Sequence, residues 1–315
     1  MLKRFELHNH TTHSDAQISC RDLAEHMEKD HVDVLALTDH NTISGHEEMK
    51  RLLHESGFHV QAVYGMEYTT YYGHILCLNL HRYVPWENID RRHPERLFSA
   101  CRKAGALTGV AHPFSYGAPF ARGCRFEMEI HDFTDVDFIE IMNNPEPLRE
   151  VNEPALRWWE SLCLNGEQLA ATAGMDLHDR RDMSMQFASY LEGEAEGDPE
   201  KELETAIRKG RTWVSHGMIL HWEKQGESLC FSLEDVHKPG FRPGKKWLMT
   251  LKSADEERVY ELPGTGLRLK SDELPDGPVL IVKLYQDTVG IEDLVCVAPV
   301  IRLRREAAEK ERGIR

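Results

Sequence analysis

The sequence has few cysteines and no long hydrophobic run. Its 315 residues include seven cysteines, none of them in a Cys-x-x-Cys pair, and this usage favours neither a disulfide framework nor a zinc ribbon. No apolar run approaches the roughly 18 residues that a membrane span needs. The polar cluster near the N-terminus interrupts any signal-peptide core. We therefore predict a cytoplasmic protein with reduced thiols and no membrane partner.

Positive charge is also scarce. Lys and Arg together number 38 and Asp and Glu 53, which gives a formal net charge of −15. Long nucleic acids need a basic surface for their phosphates, so this balance disfavours them as partners. Hydrophobic residues make up 41% of the chain, which excludes wholesale disorder. The length allows about two domains.

Short apolar runs alternate with helical patterns in the first two thirds of the chain, which indicates a mainly parallel sheet or barrel. The predicted strands cover residues 5–7, 32–38, 59–65, 74–80, 106–112, 136–142 and 168–175. The predicted helices cover residues 19–30, 43–56, 93–104, 151–166 and 200–209.

The pattern changes after about residue 215. Short apolar runs then sit between Gly- and Pro-rich turns such as KPGFRPGKK, without helical periodicity, which predicts a small all-β module resembling a sandwich. We predict an α/β domain over residues 1–215, a β module over 216–303 and a charged tail over 304–315. Three roles stay open for the β module: covering the active site, joining copies of the chain into a homo-oligomer, or binding another partner.

Nine side chains that can bind a metal ion lie at or beside predicted strand ends, where α/β folds place their active sites. Single motifs of this kind occur by chance, but this many together favour a metal centre. The nine are His8, His10, Asp15, His40, Glu67, His74, His112, Asp176 and His178.

These motifs follow one another in a characteristic order. HNHT with SD, then TDHN, GME, GHIL, AHP and GMDLH together resemble the PHP superfamily, named after polymerase and histidinol phosphatase. The resemblance covers residues 1–215. It implies a distorted (β/α)7, TIM-like barrel with three divalent metal ions at the carboxyl ends of its strands.

The resemblance also implies which residues hold each ion. The first ion takes His8, His10, Glu67 and Asp176. The second shares Glu67 and adds His74 and His112, and the third takes Asp15, His40 and His178. Some family members have His in place of Asp15.

The ligand types and the charge narrow the chemistry. Six imidazoles and three carboxylates without a thiolate suit Zn, Mn or Fe. Three divalent ions and three carboxylates leave a charge of about +3, which attracts a phosphate dianion. The expected enzyme is a metal-dependent phosphoesterase for a small phosphomonoester or nucleotide. Its nucleophile is a hydroxide that bridges two metals, with Glu67 central to the site.

Further residues are candidates on weaker grounds. Asp39 and Asn41 flank His40, and orienting it or binding substrate are both open. His13 is a candidate proton donor or only a polar cap. Four arginines in loops have two open interpretations: each is a candidate for phosphate binding or an ordinary surface residue. They are Arg122, Arg125, Arg180 and Arg181. Asn143 and Asn144 end a predicted strand and are candidates to line the pocket.

Two other functions stay open. The compact segment GMEYTTYYGH and the β-rich extension resemble the carbaryl-hydrolase branch of the same superfamily. This resemblance implies hydrolysis of a carboxyl ester or carbamate. A third hypothesis is a metal-stabilised binding protein without catalytic activity. The complete set of metal ligands argues against this hypothesis.

Overall fold

A computed structural model describes residues 1–87, 89–117, 123–144, 146–264 and 266–303; the predicted tail over 304–315 lies outside them. The strands are β1 (Leu2–Glu6), β2 (Val34–Leu37), β3 (Gln61–Thr70), β4 (Gly73–Leu78), β5 (Leu107–Val110), β6 (Phe138–Asn143), β7 (Ala170–Gly174), β8 (Ala188–Glu192), β9 (Trp213–Ser215), β10 (Met218–Gln225), β11 (Ser228–Asp235), β12 (Trp247–Lys252), β13 (Glu257–Glu261), β14 (Leu267–Lys270), β15 (Val279–Gln286) and β16 (Leu294–Arg302). The helices are α1 (Cys20–Lys29), α2 (His46–Ser56), α3 (Glu95–Lys103), α4 (Glu153–Leu164) and α5 (Pro199–Arg208).

Local sequence explains where the helices begin and end. The Ser19 hydroxyl accepts the backbone N–H of Asp22, and the Asp22 carboxylate accepts the backbone N–H of Ser19, a capping box that starts α1. Asp198 caps α5 in a similar way, with Pro199 as the first helical residue. Gly57 ends α2 with a φ of 72°, a conformation that favours glycine.

The two parts of the chain share one large sheet. Its 13 strands run in the order β13-β12-β15-β16-β9-β8-β1-β2-β3-β4-β5-β6-β7. Strands β1, β2 and β3 are parallel, as are β5, β6 and β7, whereas β4 is antiparallel to both neighbours. The fold is therefore mixed α/β, with a sheet that is only partly parallel.

The chain after β7 returns to the chain after β1. Asn9 and Leu177 form an isolated parallel bridge, and the backbone N–H of His10 donates to the Leu177 carbonyl at 2.9 Å. The two segments that follow these strands are thus hydrogen-bonded, which brings the residues of both segments to one place.

Strand β3 is longer than the sequence predicts. The apolar run 59–65 suggested an end near Gly65, but the strand continues to Thr70 because β4 pairs with residues 65–70 as an antiparallel hairpin. Glu67 therefore lies inside a strand rather than after one. Its backbone is held from both sides, since it also bridges to His40 in the segment after β2.

The segment after residue 216 forms strands joined by turns. Among its described residues the regular elements are β10 to β16 and two short 3-10 turns. Strands β10, β11 and β14 form a separate three-stranded sheet, and the other strands extend the large sheet through the β16–β9 pair. One apolar cluster includes Ile219 and Phe231 of the small sheet and Met249 and Val282 of the large one, so hydrophobic burial holds the two sheets together.

Within the described ranges, no helix is both long enough and apolar enough to cross a bilayer.

Candidate metal centre

All nine predicted metal-binding side chains come together at one end of the strand series β1 to β7. The loops after the strands and the β3–β4 hairpin bring them there. They are His8, His10 and Asp15 after β1, His40 after β2, Glu67 in β3, His74 in β4, His112 after β5, and Asp176 and His178 after β7.

Glu67 lies at the centre of the group and is fully buried. Its Oε1 lies 2.8 Å from Nδ1 of His74 and 3.1 Å from Nε2 of His112. Its Oε2 lies 2.8 Å from Nδ1 of His40. One carboxylate thus faces three imidazoles from three separate elements, an arrangement suited to a bridge between two ions.

His8 and His10 lie on the other side of Glu67. Their Nε2 atoms are 3.2 Å and 3.4 Å from Glu67 Oε2, and 3.5 Å and 3.0 Å from Oδ1 of Asp176. One ligand atom from each of these four residues lies within 4.8 Å of the other three. This group coincides with the set expected for the first ion.

The third expected set faces solvent. Asp15 Oδ1 lies 3.6 Å from Nε2 of His40 and 3.3 Å from Nε2 of His178. The Asp15 side chain is 63% exposed, and those of His40 and His178 are 19% and 31% exposed. His10 joins these three within 4.8 Å. The centre therefore runs from a buried end to an open end.

Backbone carbonyls orient several of the rings. Nδ1 of His112 lies 3.1 Å from the Cys124 carbonyl, and Nδ1 of His178 lies 2.8 Å from the Asp176 carbonyl. A ring that donates Nδ1–H to a carbonyl keeps its Nε2 lone pair for another partner. Both Nε2 atoms point into the group.

Within the described ranges, several buried polar atoms of the group make no hydrogen bond of acceptable geometry, although other ligand atoms lie close to them. They are Nε2 of His8, both ring nitrogens of His10, Oε2 of Glu67 and Oδ1 of Asp176. Buried polar atoms are normally hydrogen-bonded, because leaving one unpaired costs about 1–3 kcal/mol. Imidazole nitrogens and carboxylate oxygens that converge without forming hydrogen bonds fit divalent cations of borderline hardness.

The backbone is strained at the same place. Asn41, His112 and Asp176 have positive φ angles of 53°, 26° and 47°, which side chains other than glycine rarely adopt. Each such residue costs on the order of 1–3 kcal/mol, and such residues cluster at functional sites.

The electrostatics follow from burial and from the close opposite charges. Burial by itself raises the pKa of Glu67, but His8, His74 and His40 hold that pKa well below its usual value. Burial lowers the pKa of His10 to about 4, which leaves the ring neutral and able to bind a cation. Burial acts the same way on His112, but Glu67 outweighs it and raises the pKa to about 9.

Glu140 belongs to the site although the sequence analysis did not single it out. It is 1% exposed. Its Oε1 lies 3.0 Å from Nδ1 of His8, and its Oε2 accepts the backbone N–H of His112 at 2.8 Å and the Asn143 amide at 3.1 Å. The available signal was one acidic residue with apolar neighbours on both sides in the strand FIEIMN.

Among the described residues, Asp39 and Asn41 hydrogen-bond to other segments of the chain and not to the His40 ring. Asp39 accepts the backbone N–H and the hydroxyl of Thr11 and the hydroxyl of Ser14, at 2.7–2.8 Å. Asn41 pairs through its side-chain amide with the backbone of Thr69. Asp39 thereby fixes the turn that carries Asp15.

The remaining candidates lie around this core. His13 contacts Glu48 and Ser44, and Asn144 donates to the carbonyls of Gly174 and Phe187. The guanidinium of Arg125 lies over the ring of Phe114 at 5.7 Å.

Among the described residues, the other arginines form no ion pair with the carboxylates of the metal centre. Arg180 pairs with Asp22 and Glu25 of α1, and Arg181 pairs with Asp179. Arg122 lies outside the described residues.

Comparison with known proteins identifies the family. The model of the PHP domain matches residues 6–105, which include the motifs from His8 to His74. An uncharacterized protein of Methanocaldococcus jannaschii is 31% identical over 149 residues, covering 44% of this chain and 80% of that protein. The chain belongs to the PHP domain family. The six donors from His8 to His74 lie within the matched range, whereas His112, Asp176 and His178 follow it in the sequence.

A second relative of this PHP domain protein has a named activity. The 5′-3′ exoribonuclease of Haemophilus influenzae is 35% identical over 99 residues. The match covers 30% of this chain and 32% of the exoribonuclease, so it spans about a third of that enzyme's length.

A solved structure resembles the whole PHP domain chain. It is a two-domain protein containing a predicted PHP-like metal-dependent phosphoesterase from Bacteroides vulgatus, with a TM-score of 0.58 and 14% identity. The match covers 96% of this chain and 95% of that one. At this identity the likeness shows a shared fold that extends over the C-terminal strands.

Proposed function

We propose that this PHP protein is a metal-dependent hydrolase that releases phosphate from a small phosphomonoester or nucleotide. One observation carries the proposal: six imidazoles and three carboxylates converge, and within the described part of the chain five of their buried nitrogen and oxygen atoms make no hydrogen bond. The likeness to a PHP-like phosphoesterase and to an exoribonuclease supports phosphate ester chemistry.

The nine residues would hold three divalent ions, of Zn, Mn or Fe. Glu67 would bridge two ions, since imidazoles surround both of its oxygens. Bound there, such ions supply Lewis acidity and lower the pKa of water to near neutral. Glu140 and the carbonyls of Cys124 and Asp176 hold three of the rings in orientation, so the ligand atoms are preorganised.

The burial of the site supports one direction of substrate entry. His8, His10 and Glu67 are fully buried, whereas Asp15 is exposed and His178 partly exposed. A phosphate group would enter from the Asp15 side, and the rest of the substrate would stay near the protein surface. This geometry supports a small or terminal phosphate ester more than the interior of a long chain.

The proposal extends to the fold and the cellular setting. We propose that β1 to β7 form the distorted PHP barrel over residues 1–215, that residues 216–303 form the β module, and that the protein acts in the cytoplasm. The hydrogen bond between His10 and Leu177 supports the barrel, and the likeness to a two-domain protein supports the division.

Reconstitution followed by a phosphate-release screen tests the function. The full chain is stripped of metal, loaded with Zn, Mn or Fe, and assayed on nucleotides and sugar phosphates, with metal content measured on the same sample. We expect about three ions per chain and phosphate release that Glu67→Gln abolishes. Glu47→Gln is the matched control, because Glu47 is 84% exposed on α2.

The outcomes separate the competing functions. Release of phosphate by the loaded enzyme supports the proposal. A loaded protein that hydrolyses p-nitrophenyl acetate but no phosphate ester overturns it in favour of a carboxyl ester or carbamate hydrolase. A loaded protein without turnover on either panel overturns it in favour of a binding protein.

A further inference from the structure

A second group of ligand-type side chains lies beside the metal centre and shares no residue with it. His13, Cys20 and Glu48 each offer one ligand atom, and these atoms all lie within 4.8 Å of one another. His13 lies in the loop after β1, Cys20 is the first residue of α1, and Glu48 lies in the first turn of α2. Three separate elements thus direct nitrogen, sulfur and oxygen donors to one point.

The three ligand atoms are close enough together for one ion to contact them all after small adjustments. Nε2 of His13 lies 3.0 Å from Oε2 of Glu48. With zinc bond lengths of about 2.0–2.3 Å, tetrahedral ligand atoms lie about 3.3–3.6 Å apart, so small side-chain adjustments would admit an ion. The other ring nitrogen, Nδ1, lies 2.9 Å from the Ser44 hydroxyl, which orients the His13 ring.

The backbone leaves space for this ring. A Cβ atom at Gly45 would lie 3.1 Å from Cδ2 of His13, a contact tighter than side chains normally make. The glycine therefore lets the ring pack directly on the start of α2. The Cys20 sulfur also lies near this glycine, 4.0 Å from the Gly45 carbonyl oxygen.

The three side chains differ in their exposure to solvent. Cys20 is 1% exposed, while the side chains of His13 and Glu48 are 24% and 46% exposed. An ion would reach the group from solvent, and water would complete its coordination. Sulfur distinguishes this group from the nine residues of the metal centre, which offer only nitrogen and oxygen.

We propose that His13, Cys20 and Glu48 form a further cation site for a thiophilic divalent ion of the zinc class. Thiolate and imidazole ligands select such ions over Mg or Ca. The Cys20 thiol gives up its proton to solvent when the ion binds. The bound ion would tie α1 and α2 to the loop that carries Asp15, two residues after His13. The proposal does not depend on phosphatase activity.

Cobalt is the probe that reports this site, because a thiolate bound to Co(II) gives a charge-transfer absorption band in the near ultraviolet. The metal-free full chain is titrated with Co(II), and absorbance is followed at both visible and near-ultraviolet wavelengths. We expect visible bands from all occupied sites and a near-ultraviolet band that Cys20→Ser removes. In the Glu48→Gln variant, where the changed side chain is half-exposed, the near-ultraviolet band should be absent or should form only at a higher cobalt concentration.

Cys124 provides the matched control, since its backbone carbonyl contacts His112 of the metal centre. Cys124→Ser should keep the near-ultraviolet band. Two results would overturn the proposal. One is a wild-type titration that saturates the visible bands without any near-ultraviolet band. The other is a band that survives Cys20→Ser and disappears in Cys124→Ser.

Discussion

Oε1 of Glu140 lies 3.0 Å from Nδ1 of His8, and both side chains are almost completely buried. The carboxylate fixes the orientation of the imidazole and directs its Nε2 towards Glu67 and Asp176. In metal sites, a carboxylate behind a histidine ligand raises the basicity of the ring and sets its tautomer. Glu140 is therefore a positioning residue of this centre.

Replacing Glu140 should weaken the buried end of the centre. Because second partners of histidine ligands typically contribute 10–100-fold, we expect Glu140→Gln to lower metal affinity or phosphate release by about that factor. Metal titration followed by an activity assay at saturating metal separates the two effects. Unchanged affinity and unchanged activity would show that Glu140 has only a structural role.

Asp39 should control the exposed end of the centre. Asp39→Ala removes the acceptor for Thr11 and Ser14, so the turn that carries Asp15 loses its anchor. We expect a loss of about 1.5–3 kcal/mol in the free energy of unfolding and loss of one ion of the set.

Asp33→Ala serves as the control for Asp39→Ala. Asp33 accepts the backbone N–H of Arg4 at 2.7 Å, away from the centre, so its loss should lower stability without changing the metal content. Elemental analysis and denaturant unfolding of both variants make the comparison. An intact metal complement in Asp39→Ala would count against the anchoring role.

Removal of metal should destabilise the protein. Ions that bind only the folded state add about 2.7 kcal/mol at 100 times the dissociation constant. We expect a chelator to lower the thermal midpoint and added Mn or Zn to restore it. In Glu67→Gln the midpoint should respond much less. A wild-type midpoint that ignores both treatments would contradict metal binding at this site.

A buried ion network should hold the C-terminal strands against α4. Glu160 is 2% exposed and contacts Lys283 at 2.6 Å and Lys252 at 2.5 Å. Because breaking a buried ion pair costs about 3–5 kcal/mol, Glu160→Gln should lower the free energy of unfolding by a similar amount. Urea unfolding measures it.

The exposed pair between Glu47 and Lys50 supplies the comparison. Glu47→Gln should cost less than about 1 kcal/mol, as is usual for surface pairs. Equal effects of the two substitutions would show that the Glu160 network contributes no more than a surface pair.

The sequence by itself determined the candidate donors and most element types, although the predicted strands did not include β8 or β9. Apolar runs such as 32–38 became strands, and the Ser19 cap and Gly57 stop fixed helix ends, because these signals act over a few neighbouring residues. The nine metal-type side chains could be selected because their residue types and motif order are local features of the chain.

Only the tertiary structure decided how these residues meet. Pairing with β4 extended β3 through Glu67, and pairing between β16 and β9 joined the C-terminal strands to the large sheet. The contacts of Glu140 with His8 and of His13 with Glu48 join residues 132 and 35 positions apart. Such contacts depend on strand order and packing, which local sequence patterns do not specify.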